Sequence, residues 1–170
     1  YSTQYAKAMA IESGSGIYVH LRQQTSATNI PMSLIKIGIA SPSTGTVLWG
    51  SKVWDAVNAA YGLPGTGGIA VDSSSQVYSC MVMSNAASTN IQTIVMKYNG
   101  MTGAQLGNVD LRTLNAVDCN VFFYSSATKL LVAVVYSTGT TELINFNAGG
   151  TTLTVGSSVP RLKFTVTGYT

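Results

Sequence analysis

The chain has 170 residues, 46% of them hydrophobic and only 9% charged, with a formal net charge of +3. A chain this apolar and this sparsely charged is not a disordered polyelectrolyte, and it is long enough to bury about two thirds of the surface its unfolded form exposes. Its nine cations are scattered and form no basic stripe, which argues against a nucleic-acid partner, and the longest apolar run, Leu130–Tyr136, falls far short of the ~20 residues of a membrane helix.

Taken in chain order, the residues repeat a theme. The segment Ala10–Val19 (AIESGSGIYV) is a strand, a Ser/Gly turn and a second strand. Leu34–Ile37 continues as a third strand, and Ser43–Gly50 (STGTVLWG) supplies a Gly-marked turn and a fourth. Lys52–Tyr61 is the best helix candidate, because Trp54, Val57, Ala60 and Tyr61 fall near helical spacing, and it predicts one or two turns. Gly62–Gly68 then reads as a loop. Trp54 and Tyr61 flank this loop and are candidates for stacking on a sugar ring, against the competing reading of sheet-face packing.

The theme returns at Ala70–Ser79 (AVDSSSQVYS), Ile94–Tyr98 and Met101–Gly107, and more weakly at Val121–Ser126, Leu143–Phe146 and Gly149–Leu153. The period of roughly 50–60 residues is the size of a four-stranded antiparallel blade. One all-β domain of about twelve strands is expected, with repeats near 9–58, 68–115 and 119–158. Residues 1–9 are left as a terminal remainder and 159–170 as a terminal strand. In that last segment Leu162, Phe164 and Val166 fall on one face, with Lys163, Thr165 and Thr167 on the other. A strand from Arg161 to Tyr169 with no partner in its own repeat must pair somewhere. Donation to an adjacent subunit makes Leu162, Phe164, Val166 and Tyr169 the candidate assembly interface. Closure of the chain's own domain against its N-terminal segment is the alternative.

Cys80 and Cys119 sit in strand-like contexts of adjacent repeats and are expected in neighbouring strands, close enough to bridge, with a disulfide and two buried thiols both open. The chain begins at Tyr1 without a charged-then-apolar leader, so either a signal peptide was removed or the chain belongs to a longer one. It also contains no Asn-x-Ser/Thr acceptor.

Chemistry-bearing patterns are scarce. The single histidine, His20, aligns with Cys80 in the repeat, and a soft metal site with Met81 or Met83 is imaginable. The spacing matches no metal motif, and a strand histidine is the plainer reading. There is no G-x-S-x-G elbow, and Gly65-Thr66-Gly67-Gly68 lacks the lysine of a phosphate loop. Glu12 and Asp72 share one turn position, where an acidic side chain caps backbone N–H groups. No catalytic residue, cofactor or metal is therefore expected.

The blocks Ser33–Ile37 with Ser43–Trp49, and Gly68–Ser73, resemble bacterial β-propeller repeats of the quinoprotein-like and seven-bladed (SBBP-type) kinds, which carry a D-x-x-G-x-x-Y-V turn and a T-G-x-x-x-W corner. Asp72 and Glu12 hold the acidic position, Tyr18 and Tyr78 the aromatic, and Thr44-Gly45 and Thr102-Gly103 the corner; Trp49 is matched only in the first repeat. The resemblance implies radially arranged sheets. Three blades fall below the four to eight that close a propeller, so the alternative architecture is a β-sandwich or barrel completed by a donated strand.

These readings together predict a non-enzymatic, secreted or cell-surface structural subunit. It would self-assemble with copies of itself into a fibre, pilus-like filament or surface layer through β-strand addition. A propeller-type module binding a glycan or a surface protein is the alternative.

Overall fold

The fold comes from a computed structural model, which describes residues 3–12, 14, 16–24, 32–41, 44–54, 67–84, 91–111, 115–124, 129–148, 153–155 and 162–165. Thirteen strands and no helix occur among them. The first sheet is a meander of β1 (Thr3–Glu12), β2 (Gly16–Gln24), β3 (Met32–Ser41) and β4 (Thr44–Trp54). The second runs β5 (Ile69–Val71), β6 (Gln76–Ser84), β7 (Ile91–Asn99) and β8 (Gln105–Asp110), and the third β9 (Ala116–Phe123), β10 (Lys129–Tyr136), β11 (Thr140–Asn147) and β12 (Thr154–Val155). All pairings are antiparallel, and the sheets do not close into a barrel. The blade-like repeat seen in the sequence is thus a repeat of sheets.

The second sheet is the middle layer, which explains why its strands are apolar on both faces. Tyr78, Cys80, Val82 and Val95 point from one face into a core shared with Val121, Val132, Ile144 and Phe146 of the third sheet. Val77, Met81, Met96 and Tyr98 point from the other into a core shared with Tyr18 and Leu34 of the first. Period-two alternation therefore divides the described core side chains of β6 and β7 between the two junctions.

Three local expectations differ from the structure. Residues 3–9 are no remainder: they form most of β1, paired with β2 from Thr3↔Gln24 onward. Lys52, Val53 and Trp54, placed in a helix by their spacing, extend β4, with Lys52 opposite Ser33 and Trp54 opposite Met32. The long antiparallel ladder overrides a short local periodicity. Residues 55–61 lie outside the described residues. Lastly, the C-terminal segment has a partner within its own repeat. β13 (Leu162–Thr165) pairs with β11 from Thr140↔Thr165 to Leu143↔Leu162, alongside the two-residue β12 that occupies only Phe146 and Asn147. Because β12 is so short, it leaves the other end of the β11 edge open, and β13 fills it.

Candidate functional site

The two junctions between sheets are built on the same polar device. In β2 and β3 of the first sheet, Tyr18 stands opposite Lys36. Both reach across to the turn after β7, where the Gly100 carbonyl accepts from Tyr18 Oη at 3.2 Å, Lys36 Nζ at 3.1 Å and Trp49 Nε1 at 3.0 Å. Gly is required at that point, because a Cβ on residue 100 would lie 1.9 Å from the Ser75 carbonyl oxygen and 2.5 Å from the Tyr18 hydroxyl. In the second sheet Tyr78 stands opposite Lys97. These reach the third sheet, where the Ala148 carbonyl accepts from Tyr78 Oη at 2.8 Å and Lys97 Nζ at 2.9 Å. Each lysine also lies over its tyrosine ring, 5.0 Å and 5.2 Å from the centroid. Gly100 and Ala148 are each the third residue after Lys97 and Asn145, which hold equivalent positions on β7 and β11, so the acceptors are equivalent too.

The acidic turn residues serve these clasps. Asp72 accepts from the backbone N–H of Ser74 and of Gln76 at 2.8 Å each, holding Ser75 at a φ of 59°, and its other oxygen lies 3.1 Å from the Tyr78 hydroxyl. Glu12 instead forms a 2.7 Å ion pair with Lys36, both side chains being about nine-tenths buried. Burial pushes the Lys36 ammonium down, but hydrogen bonding to Glu12 and Tyr18 outweighs it and the net shift is upward. For Lys97 burial wins and the shift is downward, with Asp72 opposing it. Burial, helped by Asp72, raises Tyr78. Lys36 and Lys97 carry no motif that marks them as a site in the sequence. The available signal was a single cation recurring at one repeat position inside otherwise apolar strands, in SLIKI and TIVMKY.

Cys80 on β6 and Cys119 on β9 form a disulfide with a Cα–Cα distance of 6.2 Å. They join two sheets face to face rather than two hydrogen-bonded strands. His20 is fully buried in the first junction, and neither ring nitrogen finds a hydrogen-bond partner among the described residues. Burial lowers its pKa to about 4. His20 and Cys80 do hold equivalent sheet positions, but each faces its own junction and Cys80 is committed to the disulfide, so the two do not converge on a metal. Among the described residues no three His, Cys, Asp or Glu side chains gather into a metal-binding group.

The first strands of the three sheets line an open groove of ≈ 560 Å³. Lys7, at the bulge of β1, and Asp118 of β9 are the ionisable groups on its walls, with Gly67, Gly68 and Asn120 between them. Among the other sequence candidates, Leu162 and Phe164 lie on the outer face of the third sheet, 59% and 40% exposed. Val166, Tyr169 and Tyr61 lie outside the described residues, as does the side chain of Trp54, whose backbone ends β4.

No protein-family profile matches the chain, and neither does any curated protein sequence. The likeness to propeller blades therefore rests on the three four-stranded antiparallel sheets and on their repeated clasps.

Proposed function

We propose that this chain is a non-enzymatic structural module, acting outside the cell or at its surface, that associates with copies of itself. One observation carries the reading: both end faces of the three-sheet stack are apolar and open. On the first sheet Ile11 is 72%, Met9 62% and Val47 60% exposed, and on the third Phe122, Leu162 and Phe164 are exposed together. Apolar faces of this extent mark interaction surfaces. The disulfide between Cys80 and Cys119 supports an oxidising compartment, and the low charge leaves few ions to desolvate on association. Because β13 already has a partner strand, face-to-face packing of sheets replaces strand donation as the route of assembly. Light scattering across a concentration series, with negative-stain microscopy, tests this. Association that strengthens with concentration is expected, and a monomer at every concentration and salt would refute it.

The groove at the first strands favours a second reading, a module that binds a glycan or a surface protein there. Specific retention on a glycan array, abolished by Asp118→Ala and Lys7→Ala, would establish it.

A further inference from the structure

The internal junctions say what belongs on the two open faces. In each of them the face carrying the Tyr–Lys pair packs on the opposite face of the next sheet. That receiving face is the same in every sheet. Val77 and Tyr98 mark it in the second sheet and Leu130 and Phe146 in the third, and all four are buried. By strand register Ile17 and Ile37 hold these positions in the first sheet, where they are only half-buried and flanked by the exposed Ile11 and Val47. The first sheet thus ends the stack on a receiving face, and the third ends it on a covering face.

The two faces also match in what they lack. Where Tyr18–Lys36 and Tyr78–Lys97 stand in the first two sheets, the third has Leu131 opposite Asn145. Where the chain turns at Gly100 to offer a carbonyl, β3 runs on to Ser41 and pairs Ile39 with Gly45. A covering face without the cation opposes a receiving face without the turn. A foreign blade bearing a Tyr–Lys pair would bury its ammonium against Ile37 and Ile39, whereas the third sheet places the uncharged Asn145 at the lysine's position and Leu131 at the tyrosine's. A standard interface removes about 800 Å² per partner, so a ring that covers both end faces removes roughly twice that from each copy, out of the 9084 Å² that the chain exposes.

We infer that a second copy of this chain covers both faces: the third sheet of each copy packs on the first sheet of the other, closing a ring of six sheets. Six lies within the four to eight blades that propellers use, and a head-to-tail contact that closes gives a ring rather than a filament. This rests on the self-association proposed above and specifies its geometry.

Multi-angle light scattering on the 170-residue chain is expected to give one discrete species of about 36 kDa, twice the 17.8 kDa monomer. Two variants assign the faces: Ile11→Glu with Val47→Glu on the first sheet, and Phe122→Glu with Phe164→Glu on the third. Each alone is expected to run as a monomer with a wild-type far-UV circular dichroism spectrum and an intact disulfide. Mixing the two is expected to restore a one-to-one pair through the single undamaged junction. A dimer that survives either variant would overturn head-to-tail closure in favour of a same-face contact. Open polymers would overturn the ring while leaving self-association standing, and a wild-type monomer at all concentrations would overturn both.

Discussion

Removing the Lys36 ammonium should be far more damaging than its place on one strand suggests. Lys36→Met keeps the length and apolar stem of the side chain, and Gly100 retains Tyr18 and Trp49 as donors. What is lost is the cation 2.7 Å from Glu12, in a site where both side chains are about nine-tenths buried. At an effective dielectric constant near 20 the gross attraction of such a pair is about 6 kcal/mol, most of it offset by desolvation. The ammonium's removal takes away the countercharge that offsets the carboxylate's desolvation, so the substitution is expected to cost about 3–5 kcal/mol. At roughly 2–4 °C per kcal/mol for a chain of this size, the Tm falls by roughly 10 °C. Glu12→Gln alone removes a charged hydrogen bond and should cost about 1.5–3 kcal/mol. The double variant should be no worse than Lys36→Met, giving a coupling of about 2 kcal/mol or more. Urea unfolding followed by tryptophan fluorescence is a suitable assay, because Trp49 sits in the same clasp. A Lys36→Met cost below about 1 kcal/mol, or additive single effects, would show that the pair is solvated and the clasp incidental.

Three further outcomes follow from the junctions. His20 has a folded pKa of about 4 against ~6.5 when unfolded, so its contribution to stability is complete above pH 6.5 and is lost as pH falls toward 4, reaching about 3 kcal/mol; His20→Leu should flatten that part of a stability–pH profile. Closing the 39-residue separation between Cys80 and Cys119 is worth about 4 kcal/mol in the chain-entropy account, so Cys80→Ala with Cys119→Ala should shift the urea midpoint down, and an unchanged midpoint would refute it. Gly100→Ala must displace both the Ser75 carbonyl and the Tyr18 hydroxyl, and differential scanning calorimetry should show a loss of about 1–3 kcal/mol, comparable to other overpacked sites.

Alternation of apolar residues and recurrence of Ser/Gly turns were enough to read three antiparallel four-stranded sheets from the sequence, because strand pairing between chain neighbours is a local matter of period and turn chemistry. The shared positions of Tyr18 with Tyr78 and of Glu12 with Asp72 were legible for the same reason. How one sheet meets the next was not. Lys36 and Lys97 look like misplaced charges within apolar strands until the sheets stack and each ammonium finds a carbonyl some fifty residues or more away, on the following sheet. The fate of the terminal strand was equally hidden. Leu162 and Phe164 announce an apolar strand, but only the shortness of β12 leaves β11 with an edge for it. Sequence periodicity assigns a side chain to one of two faces, and the tertiary structure alone decides whether that face meets another sheet or stays open, because the contact depends on how sheets tens of residues apart come together.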